Sequence, residues 1–241
     1  MTPDAEAALT SPGLIAIRLK AAALAASKLK EAGRILHATG ALIGDGRVSG
    51  TSPRGNGNDA EVGVGVLIQI AAQVLEASAE GLCGTRAYAG AALLRQVVEV
   101  EYLSWAFARQ ERDAAQWLNS THEERKNWFS PAKLRKTNPT GFLAGDYSHH
   151  CEQGGHPVPV GIPLLWDPAP AMTQMLLIDL LLHSWRITDN LIRWCCRQRA
   201  DALPTVLRNL VAAQAAFGVW GEADPLYAWS LTAPQAPPPG P

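Results

Sequence analysis

Arg95 and Glu99 stand one helical turn apart in a stretch that otherwise reads as buried. A guanidinium beside a carboxylate in such surroundings can bind an anion or pass a proton. On a wheel of ~100° per residue, Tyr88, Arg95, Glu99 and Tyr102 share one narrow face flanked by Ala91, Ala92 and Ala106. The rest of the circumference carries Leu93, Leu94, Val97, Val98, Val100 and Phe107, interrupted mainly by Glu101 and Ser104, and no lysine marks a wet face. The helix is therefore expected to be central, with Arg95 and Glu99 turned toward other helices or a cleft. Exposed, such a pair contributes only ~0.3–0.5 kcal/mol. Buried, each charge costs several kcal/mol unless paired, so the pair either braces the fold or serves a site.

The stretch "YSHHCEQGGHPVP" brings three histidines and a cysteine together. His149 and His150 are neighbours, so their side chains diverge by ~100° on a helix. His150 falls with Leu143 and Tyr147 on the apolar side and reads as a packed core histidine, while His149 points away beside Asp146 and Gln153. His156 follows Gly154 and Gly155, and its position before Pro157 gives it a fixed direction. The expected catalytic set is Arg95 holding an anion, Glu99 orienting it or taking a proton, and His156 shuttling one. Tyr88, Tyr102, Tyr147, Cys151, Asp179 and His183 are expected to line the substrate side. Asp179 and His183 have the i,i+4 spacing that orients an imidazole. Neither HxxxH nor HExxH occurs, so no metal ligand set and no cofactor is assigned. The metal alternative is a hydrolase using His150, His156, Glu99 and His183.

Arg95-x-x-x-Glu99, then Tyr147-x-x-x-Cys151-Glu152 and Gly155-His156-Pro157, resembles uncharacterised bacterial helical proteins with an Arg-x-x-x-Glu element and a later Tyr-x-x-x-Ser/Cys…His-Pro element. That resemblance covers roughly residues 84 to 160. It implies an all-α fold with Arg95, Glu99 and His156 in one cleft, and it implies no established activity. More distantly the chain resembles the HEPN superfamily of helical bundles, several of whose members are RNases. The spacing of their catalytic signature, an arginine followed four to six residues later by a histidine, does not occur here.

These residues need elements to hold them. The chain has 241 residues, 47% of them hydrophobic, enough for one domain with a sizeable core. No run alternates as a strand would, and strong helix formers dominate. The expected fold is all-α, a bundle of four or five main helices plus short connecting helices, spanning residues 1–217. Helices are expected after Pro12, over roughly 60–80, 85–110, 142–152, 171–198 and 201–217. Thr121 and Glu124 have capping-box spacing, and Ser130 followed by Pro131 reads as an N-cap with a first-turn proline. Glycine, serine, proline and asparagine make 44–59 a mobile loop, and five prolines make 156–170 a crossing loop. Residues 218–241, ending "APQAPPPGP", read as a mostly flexible tail.

Composition also bounds the partners. A net charge of −1 gives no global attraction to nucleic acid or anionic lipid. A local patch of Arg125, Lys126, Lys133, Arg135 and Lys136, interleaved with Trp128 and Phe129, has the character of an RNA contact. A protein partner or a second copy of the chain is the alternative. The four cysteines form no CxxC or dense framework, the N-terminus lacks a signal-peptide core, and no clean membrane span is read. A cytoplasmic setting is the expectation. The functional expectation is an accessory or effector protein in an RNA-linked stress or defence system. A non-catalytic interaction module with a structural buried ion pair stands as its alternative beside the metal-dependent hydrolase.

Overall fold

A computed structural model describes residues 3–42, 58–142, 144–166, 168–198 and 203–227. Among them the fold is all-α, with no strand. After a short α1 (Pro3–Thr10), five long helices build the body: α2 (Pro12–Leu42), α3 (Asp59–Cys83), α4 (Ala87–Arg109), α9 (Pro170–Cys195) and α10 (Leu203–Ala223). Between α4 and α9 run α5 (Ala114–Asn119), α6 (His122–Glu124), a π-helical turn (Arg125–Phe129), α7 (Pro131–Thr137), α8 (Ala144–His150), a second π-helical turn (Cys151–Gly155) and a 3₁₀ turn (Pro159–Leu164).

Local signals set many of these boundaries. Asn58 caps α3, its side chain accepting from the Glu61 N–H at 3.1 Å. Thr121 and Glu124 form a reciprocal capping box; Ser130 holds the N-cap position of α7 without a side-chain capping bond, and Pro131 opens the helix as the spacing predicts. The loop expected over 44–59 lies outside the described residues except for Asn58 and Asp59, which begin α3. The crossing segment 156–170 is not one loop: it coils into the 3₁₀ turn, and Pro170 supplies the first turn of α9.

Glycines fix two of the helix contacts. A Cβ on Gly65 would stand 2.7 Å from the His37 nitrogen, and one on Gly33 would stand 2.9 Å from the Gly65 carbonyl oxygen. Gln69 donates to that same carbonyl at 3.1 Å. Positions 33 and 37 thus face 69 and 65, so α2 and α3 are antiparallel. Gly90 makes the same close approach to α3, where a Cβ would lie 2.7 Å from the Leu82 nitrogen while Ser78 donates to the Gly90 carbonyl at 2.8 Å. Helix α3 has the length and composition of a membrane span, with mean hydropathy 1.6, but that window is 67% buried inside the bundle. Its apolar character follows from packing against α2, α4, α5 and α9 at once.

The pairing of α4 with α9 is parallel. Glu101 meets His183 and Ser104 meets Asn190, so the two numbers rise together. Parallel neighbours cannot be joined by a tight turn, and residues 110–169 carry the chain back from the end of α4 to the start of α9. That return path lays α8 against α4.

The deepest ion pair is not at position 95. Arg18, on α2, is 0% exposed and bonds Asp224 through Nε at 2.6 Å and Nη2 at 3.1 Å. Its Nη1 donates to the Leu9 carbonyl at 2.8 Å and to Gln174 at 3.1 Å, while Asp224 also accepts from Trp220 Nε1 at 2.9 Å. A domain boundary at 217 is therefore too early. Helix α10 runs on to Ala223, Trp220 is fully buried, and Leu226 and Asp224 complete this corner.

Candidate functional site

Helix α8 presents Tyr147 to α4, where a closed polar ring forms. Arg95 donates to the Tyr147 hydroxyl from Nε at 3.2 Å and from Nη2 at 3.1 Å; the hydroxyl donates to Glu99 Oε1 at 3.0 Å. Arg95 Nη2 closes the ring onto the same oxygen at 3.0 Å. The Arg95 and Glu99 side chains keep 30% and 34% of their exposure, so the pair is half-buried, and its ion pairing is worth ~1 kcal/mol at most. Burial pushes the Tyr147 phenol up to about 12, opposed by the Arg95 hydrogen bond and reinforced by the Glu99 carboxylate. Burial works against the Arg95 charge, but the Tyr147 hydrogen bond and Glu99 outweigh it and hold the guanidinium above its ordinary range. Arg135 of α7 stacks on the Tyr147 ring at 4.5 Å. Tyr102 is buried beneath, 4.1 Å from Phe142 and 6.2 Å from Tyr147, ring centre to ring centre.

His156 does not join this ring. The π-helical turn that ends α8 closes with the His156 N–H donating to the Cys151 carbonyl at 2.8 Å, and the residue is extended and exposed. Its described contact with α4 is through the backbone, where the Tyr88 hydroxyl donates to the His156 carbonyl at 3.1 Å. Tyr88 also covers Gly161, whose missing Cβ would stand 2.6 Å from its ring. Tyr88 thus clasps the crossing segment. Cys151 is half-buried.

A second cluster forms on the α9 side of α8. His150 Nε2 lies 3.2 Å from Asp179 Oδ2, and His183 Nε2 lies 3.4 Å from Asp179 Oδ1. The two rings meet edge to face at 5.3 Å, and each histidine is almost fully buried while the Asp179 side chain is 34% exposed. One ligand atom from each of the three residues lies within 4.8 Å of the others. Behind His183, Nδ1 lies 2.5 Å from Glu101 Oε2, and the Arg186 guanidinium stands 3.9 Å from the other Glu101 oxygen. Glu101 is itself buried.

The geometry suits a metal ion. A tetrahedral complex with bonds of ~2.0–2.1 Å puts its ligand atoms roughly 3.3–3.5 Å apart. The two imidazole–carboxylate separations are near that length but run to different Asp179 oxygens, so a single bound oxygen would need a small shift of the carboxylate. Glu101 faces His183 Nδ1 and Asp179 faces Nε2; a neutral ring donating from Nδ1 to Glu101 would offer Nε2 to a metal ion. This is the carboxylate–histidine support typical of metal ligands.

The sequence pointed to Asp179 and His183 as a pair but placed them with Arg95 and Glu99. Glu99 and Glu101 are ~200° apart on the α4 wheel, and their side chains leave on nearly opposite faces. Glu101 was visible only as an interruption of the apolar circumference, and its partner is 82 residues away.

The basic segment divides on folding. Lys126, Lys133 and Lys136 are exposed, but Arg125 bonds the Ser120 carbonyl and Arg135 is committed to Tyr147. Phe129 is buried, and Trp128 is 49% exposed with the Arg112 guanidinium 5.6 Å from its ring centre. An open cleft of about 510 Å³ includes Arg112, Trp128, Trp194 and Arg197 in its lining and lies at the C-terminal ends of α4 and α9. None of the residues of the two polar clusters lines it, so the cleft and the metal-suited geometry are different places. No family model, curated protein or solved structure matches this chain.

Proposed function

We propose that this chain binds one divalent transition-metal ion, with zinc as the first candidate, between α8 and α9, and uses it for metal-assisted hydrolysis. The ligands are His150 Nε2, His183 Nε2 and the Asp179 carboxylate. The observation that carries the reading is that one ligand atom from each of His150, Asp179 and His183 lies within 4.8 Å of the others, with Glu101 behind the His183 ring. Three protein ligands leave a fourth position open, as catalytic rather than structural zinc sites do. The half-exposed Asp179 gives water a route to that position. A water held there would lose a proton more readily than in bulk and would supply the nucleophile for hydrolysis of an ester or amide, the proton going to the departing alcohol or amine.

Dialysis against Zn²⁺ followed by elemental analysis tests the binding. One equivalent is expected for the wild type and less than a tenth for His183→Ala. Wild-type protein retaining less than a tenth of an equivalent sinks the proposal. The zinc-loaded protein is then assayed on nitrophenyl acetate and nitrophenyl phosphate esters. Equal turnover by wild type and His183→Ala refutes the hydrolytic role.

A second reading is favoured by Asn190 donating to Ser104 at 3.2 Å and Arg186 approaching Glu101: a polar seam that fixes the parallel register of α4 and α9. Under it, His183→Ala lowers stability equally with and without Zn²⁺.

A further inference from the structure

We infer that the Arg95–Glu99–Tyr147 ring is a positioning device for the metal centre, acting through α8, rather than an active site of its own. The inference rests on the metal-binding reading above. Helix α8 has 7 residues and runs on into the π-helical turn Cys151–Gly155; a helix this short is not stable by itself, so its place is set by the packing of that turn on α4 and by what its side chains hold. Tyr147 and His150 are one turn apart on it and leave it in directions ~60° apart. Tyr147 ties α8 to α4 through the ring and to α7 through Arg135. His150 ties it to α9 through Asp179. Ser148 and His149, between them, are exposed.

This arrangement has a consequence for affinity. Asp179 and His183 stand on one rigid helix of 26 residues, so their spacing is fixed by α9 alone. His150 comes from the return path, and metal bonds tolerate only ~0.2 Å of misplacement. The phenol anchor adds to the packing that places this ligand, which is buried between α8, α4 and α9. Loosening it leaves all three ligands present but makes the ion organise α8 as it binds. Loss of groups that orient metal ligands lowers affinity by roughly 10–100-fold. By linkage, the bound ion stiffens α8 to the same extent that α8 favours the ion.

Tyr147→Phe tests this cleanly, because it removes the hydroxyl that both accepts from Arg95 and donates to Glu99 while keeping the ring under Arg135. Co²⁺ affinity is measured by equilibrium dialysis on the full chain for wild type, Tyr147→Phe, His150→Ala and the double variant. The expected result is a loss of about tenfold for Tyr147→Phe alone and no further loss when it is added to His150→Ala, since the anchor acts only through that ligand. Glu99→Gln, whose amide oxygen still accepts from the phenol, retains most of the affinity. Gly65→Ala at the remote α2–α3 contact lowers stability without changing Co²⁺ affinity. Unchanged affinity in Tyr147→Phe, or an equal loss in both backgrounds, overturns the positioning role and leaves the metal site standing. Wild-type protein that takes up no Co²⁺ overturns both.

Discussion

Tyr147 is the residue whose environment is most legible as chemistry. Its hydroxyl accepts twice from one guanidinium and donates once to one carboxylate, so its neutral form is the one that fits. Burial first, and Glu99 next among the groups that raise it, lift its ionisation from 10.0 to about 12. The sign follows from that direction. The folded protein binds the phenolic proton more tightly than the unfolded chain, so the ring's contribution to stability is full below pH 10 and is lost as the pH climbs toward about 12. Glu99→Gln removes the carboxylate, and the phenol is expected to ionise at lower pH than in the wild type, since burial is then opposed by Arg95 with no carboxylate to reinforce it. Ultraviolet difference titration against Tyr147→Phe isolates this one tyrosine among 4. A Glu99→Gln phenol that titrates at or above the wild-type pH refutes the argument. His183 and Glu101 show the opposite kind of legibility. Each had a visible anomaly, a polar group on an apolar face, but helical periodicity names a face and not the residue opposite it. The Glu101–His183 contact depends on how α4 and α9 register, and nothing local in either helix encodes that.

Helices α2 and α3 touch through backbone, and the glycines there predict which substitutions the elements tolerate. Alanine is a better helix former than glycine by ~0.8–1.0 kcal/mol where space allows. At Gly218 on α10 nothing lies within 4 Å of an added Cβ, so Gly218→Ala is expected to stabilise by about 0.4–1 kcal/mol. At Gly65 the new methyl would sit 2.7 Å from a backbone nitrogen on α2. Neither helix can retreat without losing its other contacts, so Gly65→Ala is expected to cost about 1–3 kcal/mol. Urea denaturation of the two variants reads opposite signs, and equal effects would refute the close approach. The same contrast explains what sequence reading could supply. The capping box at Thr121, the Ser130–Pro131 start and the long apolar helices are set within a few residues, and all three are in the fold. The parallel neighbours α4 and α9 are brought together across residues 110–169, which no local pattern specifies. His156 is the price of reasoning locally: a histidine after a glycine turn has a fixed direction, and that direction is outward.

At the scale of the molecule, Arg18 and Asp224 tie the first turns of the chain to its last described ones. The pair is satisfied on every side by Leu9, Gln174, Trp220 and the Leu226 N–H, which is the condition under which a buried ion pair is tolerated. It appeared in the sequence as an ordinary arginine near Lys20 and an ordinary aspartate before Pro225, because the two are 206 positions apart. The fold therefore depends on residues that composition assigns to a tail. A chain ending at Phe217 loses Trp220 and Leu226, each worth about 1.5–3 kcal/mol of burial. It also strands Arg18 as an uncompensated buried charge, a cost of about 3–5 kcal/mol. The total, roughly 6–11 kcal/mol, is comparable with the ~5–15 kcal/mol by which such domains are stable at all. The truncated chain is expected to be largely unfolded by circular dichroism, whereas a chain ending at Tyr227 keeps every one of these groups and is expected to fold. If Arg18 is the decisive loss, changing it to methionine in the 217-residue chain recovers part of the folded signal, because the stranded charge is gone. Cooperative melting of the unmodified 217-residue chain at the full-length temperature would show that the Arg18–Asp224 corner carries no such weight.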